Sequence, residues 1–133
     1  MKSFRTLFIR AIPAILTSCG IYYFSSLPQP PFVLTSFQWQ DKFLHYGAYL
    51  FYGVTISMLV DALSDSMKKN IMYLMLWGGF YAFTDEFHQY FVPGRSTELG
   101  DWIADIIGIA TAAFVYYLYC KNKASISNES HSN

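Results

Sequence analysis

The chain has 133 residues, of which 53% are hydrophobic, 20% are aromatic and only 14% are charged. Soluble domains carry about a quarter charged residues, so this composition argues against an ordinary soluble protein. The formal net charge is zero, and there is no basic stripe and no Cys/His finger spacing, so nucleic-acid binding is not expected. At this length we expect a single domain.

Four apolar stretches are long enough to cross a bilayer, whose core of roughly 30 Å takes about 20 helical residues. They cover about 7–27, 43–63, 71–91 and 102–120. None shows the alternation of a strand, and in lipid every backbone group must be satisfied internally. The sequence therefore predicts an all-α integral membrane bundle of about four transmembrane helices.

The connections between these stretches carry helix-breaking or polar residues. Prolines at 28, 30 and 31 cannot continue the first helix, because proline lacks an amide N–H. Residues 64–70 form a short polar loop, and Val92-Pro93-Gly94-Arg95 predicts a tight turn with proline second and glycine third. We divide the chain into a membrane domain, 1–124, and a polar cytoplasmic tail, 125–133, predicted to be disordered.

The distribution of Lys and Arg predicts the orientation in the membrane. Two of these residues, Lys42 and Arg95, fall on one side. The other seven fall on the opposite side: Lys2, Arg5, Arg10, Lys68, Lys69, Lys121 and Lys123. Both termini are therefore expected in the cytoplasm of a multi-pass protein, with the first and third loops facing outward.

The two cysteines, Cys19 and Cys120, lie in or beside apolar runs and are predicted to be packed thiols. The segment Leu16-Thr17-Ser18-Cys19 leaves lipoprotein cleavage open as an alternative, although Arg10 and Pro13 interrupt the apolar segment before it.

Most of the polar side chains that are unusual for a membrane protein are predicted at the outer face, where such groups often indicate function. Six of the nine acids lie there: Asp41, Asp85, Glu86, Glu98, Asp101 and Asp105. They are joined by Lys42, His45, His88, Gln89 and Arg95.

Helical spacing orders this set, because residues three or four apart share a face. The pairs are Asp41 with His45, Glu86 with Gln89, and Asp101 with Asp105. Two of these faces continue with small residues, Gly108 and Ala112 beyond Asp105, and Ala82 and Gly78 before Glu86. Small residues allow close helix packing, so the polar groups are expected to point into the bundle.

Two interpretations of the cluster remain open. Six carboxylates against two fixed cations favour a bound cation or protonated acids, and oxygen ligands with one imidazole suit a divalent metal. Because no helix carries two histidines at zinc-ligand spacing, we assign no metal ligands and leave the cofactor unknown. In the alternative, Lys42 and Arg95 pair with Asp101, Glu86 or Asp41 only to hold helix ends together. Asp61, on the other side, is expected to pair with Lys68 or Lys69.

Three segments together resemble the VanZ-like family, which is known through a membrane protein associated with teicoplanin resistance. They are Asp41-Lys42-Phe43-Leu44-His45, the segment from Glu86 to Arg95, and the segment from Asp101 to Gly108, and the resemblance covers about 37–119. The matching positions are Asp41, Lys42, His45, Glu86, Gln89, Arg95, Asp101 and Gly108. Asp105 and Ala112 depart from the pattern, which often has asparagine and glycine there.

The resemblance implies a protein of the bacterial cytoplasmic membrane that contributes to glycopeptide resistance. We expect Asp41, Lys42, His45, Glu86, Gln89, Arg95, Asp101 and Asp105 to form an outward-facing site. It would bind an envelope lipid or a peptidoglycan precursor, and oligomers are conceivable. The alternative is a membrane enzyme acting on a lipid-linked or phosphate-bearing envelope substrate, with His45 or Glu86 as acid or base. A transporter is a third hypothesis.

Overall fold

A computed structural model of the protein describes residues 3–28 and 39–131. Four helices account for most of these residues: α1 (Phe4–Ser25), α2 (Gln40–Leu63), α3 (Met67–Gln89) and α4 (Leu99–His131). Among the described residues there is no strand, which confirms the predicted all-α fold. Lys2, the prolines at 30 and 31, and the last two tail residues lie outside the described part of the chain.

The helices have the length and surface of membrane spans. α1, α2 and the first 30 residues of α4 are long and apolar enough to cross a bilayer. α3 has 23 residues, a sufficient length, but it does not reach the same apolarity, so the fourth crossing stays a prediction. Large apolar side chains are exposed on the bundle surface at Phe51, Trp77, Phe80 and Phe114. Such a surface is expected against lipid.

α2 and α4 form the most extensive helix interface, with α1 packed on α2 and α3 packed on α4. The core between them contains fully buried Tyr49, Tyr52, Ile56, Leu74 and Ile109. The small residues predicted to line the packing faces are buried at Gly78, Ala82, Gly108 and Ala112. The predicted packing faces of α3 and α4 are therefore confirmed.

The turn between α3 and α4 has the predicted form. The Arg95 N–H donates to the Val92 carbonyl at 3.1 Å, which closes a four-residue turn. Gly94, in its third position, has a φ of 85°, a conformation that favours glycine. The chain then enters α4 with the Asp101 N–H donating to the Glu98 carbonyl at 2.9 Å. This turn brings Arg95 and Glu98 back over the ends of the helices.

Three details differ from the sequence-based expectations. α4 continues to His131, through most of the segment predicted to be disordered, because no proline or glycine follows Gly108 to end it. Cys19 is exposed on α1 rather than packed. At the end of the bundle away from the predicted site, Asp61 pairs with Arg10 and accepts a hydrogen bond from Tyr116 at 3.3 Å. Arg10 reaches Asp61 because α1 packs directly on α2.

Candidate functional site

Lys42 links the first turn of α2 to the beginning of α4. Its Nζ donates to Glu98 Oε2 at 2.7 Å and to Asp101 Oδ1 at 3.0 Å. The Asp101 side chain is only 3% exposed, whereas that of Glu98 is 58% exposed. The Lys42 ammonium lowers the pKa of the Glu98 carboxyl below its ordinary value. One cation thus neutralises a buried acid and holds the α3–α4 loop.

His45, one turn further along α2, faces two acids from two other helices. Its Nδ1 lies 2.9 Å from Asp105 Oδ1 on α4 and 3.8 Å from Glu86 Oε1 on α3. The shorter distance is a hydrogen bond, while the longer one exceeds hydrogen-bonding range. Asp105 is fully buried, and His45 is 9% exposed. Three helices therefore bring one imidazole and two carboxylates together inside the bundle.

A third polar group is centred on Gln89, at the end of α3. Its Nε2 donates to Asp85 Oδ2 at 3.1 Å and to Ser25 Oγ of α1 at 3.3 Å. Its Oε1 accepts from a terminal nitrogen of Arg95 at 2.6 Å. Gln89 is 1% exposed and Asp85 is 5% exposed. The amide of Gln89 on α3 thereby contacts α1 through its nitrogen and the α3–α4 loop through its oxygen.

A cavity of about 360 Å³ opens between α1 and α2 beside these groups. Ile21, Phe24, Leu44 and Phe51 contribute apolar side chains to its wall. Its polar lining comes from Thr17, Ser25, Asp41, His45, Tyr49, Asp85, Gln89 and Arg95. The cavity therefore has the form expected for an amphiphile, with an apolar wall and a few convergent polar groups.

The eight residues predicted as binding residues all lie at this end of the bundle, but they do not form one contact group. Lys42 bonds Asp101, His45 bonds Asp105 with Glu86 close by, and Gln89 bonds Arg95. Asp41 is half-buried, and a carboxylate oxygen of it lies within 4.8 Å of ligand atoms of His45 and Asp101. His45, Asp41, Gln89 and Arg95 line the cavity, while Lys42, Glu86, Asp101 and Asp105 are not among the described residues that line it.

Asp85 was predicted at the outer face but was not assigned to the site, and neither Ser25 nor Tyr49 was assigned to it. All three are buried and line the cavity. The spacing of four between Asp85 and Gln89 was a usable signal, because it places both on one face of α3. Nothing local marks Ser25, whose position follows from the packing of α1 against α3.

His88 takes a structural position beside the site. Its Nε2 lies 3.0 Å from Ser26 Oγ, and its ring stacks on Tyr22 at 4.6 Å between centroids. Ser26 Oγ also donates to the Tyr22 carbonyl at 2.7 Å. Because that bond uses the only hydroxyl proton, the imidazole must donate to Ser26. His88 therefore does not act as a base toward this serine.

The comparisons with known proteins give one match. The family model described as VanZ/LLP1 matches residues 8–120, most of the chain and all of the polar residues described above. A search of curated proteins found no match, and neither did a search of solved structures. Since the family model covers far more than half of the sequence, the chain is a member of the VanZ/LLP1 family.

Proposed function

We propose that this protein resides in the bacterial cytoplasmic membrane as a multi-pass protein and binds a lipid-like component of the cell envelope at its outward-facing end. The observation that carries the proposal is the cavity between α1 and α2, with its apolar wall and its polar group at Asp85, Gln89 and Arg95. A chain of methylene or prenyl groups fits the apolar wall. A polar head group fits the other side.

Of the charged residues that line the cavity, Asp41, Asp85 and Arg95, the arginine is the one suited to an anionic head group. Arg95 is half-buried and donates to the neutral Gln89 amide, and among the described residues no carboxylate forms an ion pair with it. A guanidinium has five N–H donors and binds phosphate or carboxylate in a bidentate manner. Arg95 is therefore the residue proposed to hold the anion, with Gln89 fixing its orientation.

In the cell this binding would contribute to glycopeptide tolerance by limiting access of the antibiotic to its target. The family membership motivates that role. The orientation is supported by the Lys/Arg distribution, which leaves only Lys42 and Arg95 at the end of the site.

The binding proposal is tested with a photoactivatable polyprenyl phosphate and the full chain in lipid nanodiscs. We expect cross-links on α1 or α2, and at least a fivefold loss of labelling in Arg95→Gln. Lys123→Gln is the matched control, because Lys123 is exposed near the end of α4. Equal labelling of both variants, or labelling outcompeted by a neutral prenyl alcohol, would show that no anion is recognised.

The cellular role is tested by teicoplanin tolerance in a susceptible host, measured together with the amount of folded protein in the membrane. We expect Arg95→Gln to accumulate normally and to lose protection. If the unaltered protein gives no protection, the resistance role is wrong for this chain, and the cross-linking result still decides whether the cavity binds the lipid.

An enzyme is the second candidate, and one observation favours it. His45 lines the cavity and is held from behind by the buried Asp105. A histidine oriented by a carboxylate is a usual general acid or base. Turnover of the same polyprenyl phosphate, abolished in His45→Gln but retained in His88→Gln, would establish this activity, whereas binding without turnover would exclude it for that substrate.

A further inference from the structure

We infer that His45, Glu86 and Asp105 form a binding site for a first-row divalent metal ion. Their ligand atoms, an imidazole nitrogen and two carboxylate oxygens, all lie within 4.8 Å of one another. His45 Nδ1 is 2.9 Å from Asp105 Oδ1 and 3.8 Å from Glu86 Oε1. Ligand atoms about 2 Å from one ion stand roughly 3 to 4 Å apart, so the spacing suits a shared ion.

The hydrogen bonds of the three residues leave acceptor positions unused. Asp105 Oδ2 and Glu86 Oε1 are buried and have no hydrogen-bond partner among the described residues. Asp105 itself is fully buried. A buried carboxylate oxygen without a partner is costly, and native proteins rarely leave one so. A metal ion placed among the three residues would satisfy both oxygens.

The charge of the group points to a cation with more than one charge. The two fixed cations at this end are engaged elsewhere, Lys42 with Asp101 and Glu98, and Arg95 with Gln89. With both carboxylates ionised, even a protonated His45 would leave one negative charge uncompensated inside the bundle. A divalent ion with neutral His45 neutralises both carboxylates, which removes the large penalty for burying unpaired charge.

A second group of potential ligands, Asp41, His45 and Asp101, shares the histidine but suits a metal less well. Asp101 Oδ1 accepts a hydrogen bond from the Lys42 ammonium at 3.0 Å. A metal ion beside that ammonium would be repelled. The site is therefore assigned to Glu86 and Asp105, which have no lysine or arginine bound to them among the described residues.

The donor set selects the class of ion. One imidazole with two carboxylates is typical of Zn²⁺ or Mn²⁺ and not of soft Cu(I), which prefers sulfur. Three protein ligands leave at least one coordination position open. His45 belongs to this group and also lines the cavity, so the metal site adjoins the cavity. The ligands of the metal site are the same whichever lipid occupies the cavity.

The test uses Mn²⁺ alone, added to the full chain in nanodiscs after removal of metals by chelation. Bound and free ion are measured by electron paramagnetic resonance. We expect one tightly bound Mn²⁺ per chain, displaced by Zn²⁺, with pulsed measurements showing coupling to one histidine nitrogen. Mn²⁺ binding and the nitrogen coupling are expected to be retained in His88→Gln. Absence of saturable binding, or of any nitrogen coupling, overturns the assignment without recourse to site variants.

Site variants then locate the ion. Glu86→Gln and Asp105→Asn keep the side-chain shape and should each weaken Mn²⁺ binding at least tenfold. Glu98→Gln removes an exposed carboxylate at the same end and should change it less than threefold. The assignment would be wrong if Asp41→Asn and Asp101→Asn weakened Mn²⁺ binding. Unchanged binding in Glu86→Gln and Asp105→Asn would then assign the ion to the other group. Size-exclusion chromatography establishes that each variant is folded. If a variant does not fold, the Mn²⁺ measurement on the unaltered chain decides the proposal.

Discussion

Gly108 of α4 lies directly against the α2 backbone at Tyr46. A β-carbon at position 108 would lie 2.6 Å from the Tyr46 carbonyl oxygen and 2.8 Å from the Leu50 nitrogen. Real β-carbons essentially never come that close to backbone atoms. This contact brings α2 and α4 together one turn beyond His45 and Asp105, so it sets the distance between those two side chains.

Gly108→Ala should therefore force the helices apart. We expect a loss of about 1–3 kcal/mol in the free energy of unfolding in detergent, as for other overpacked interiors. Gly47→Ala on α2 is the matched control, because a β-carbon there would meet nothing within 4 Å. Alanine favours helix over glycine, so the control should be neutral or slightly more stable. Equal free energies of unfolding in the two variants would contradict the close approach of α2 and α4.

The ion pair between Lys42 and Asp101 should contribute measurably to stability. Lys42→Met leaves a nearly fully buried carboxylate without its cation. We expect a loss of about 2 kcal/mol, below the roughly 3–5 kcal/mol of a fully buried pair because Lys42 keeps 27% of its side chain exposed. Chemical unfolding in detergent measures the change. The double variant Lys42→Met with Asp101→Asn should recover part of it, and no recovery would argue against a direct interaction.

At the other end of the bundle, Arg10 should anchor α1. It donates to Asp61 and also to the Met58 carbonyl at 3.3 Å. Arg10→Gln should lower the melting temperature, and Asp61→Asn should lower it by a similar amount, since each change breaks the same pair. Arg5→Gln is the control, because Arg5 is exposed on the same helix. Additive effects of Arg10→Gln and Asp61→Asn would show that the two residues do not act together.

Deletion of residues 125–133 should leave the membrane domain intact. The side chains of 121–128 are exposed, so removing this part of α4 takes away little packing. We expect the melting temperature of chain 1–124 to change by less than about 2 °C, within the small effect of surface changes. A larger loss would mean that the division at residue 124 is wrong.

The sequence predicted the helices well because their signals are local. Length, apolar content and the Val92-Pro93-Gly94-Arg95 turn are each contained within one stretch of chain. The structure agrees on the four helices and on the turn, while α3 is less apolar than the other three helices and α4 continues past the predicted end at 120. The pairing of Lys42 with Asp101 was among the interactions weighed from sequence, and the structure shows it. Pairing of Arg95 with an acid was weighed in the same way, and there the structure gives a neutral partner, Gln89.

What the sequence could not predict depends on how helices are rotated and which ones are neighbours. Asp61 was expected to pair with the nearby lysines of the second loop, but α1 lies against α2 and supplies Arg10 instead. Ser25 was not predicted as a site residue for the same reason, since it contacts Gln89 only through the packing of α1 on α3. The division at residue 124 and the binding role of the polar residues stay predictions.

The length of α4 has a consequence for where the chain emerges from a bilayer. At 1.5 Å per residue, its 33 residues extend about 50 Å, against a hydrocarbon core of roughly 30 Å. Even a helix tilted by about 40° would need only about 26 residues to cross. At least two turns of α4 must therefore stand clear of the hydrocarbon of any bilayer that it crosses, and the exposed side chains of 121–128 suit that position.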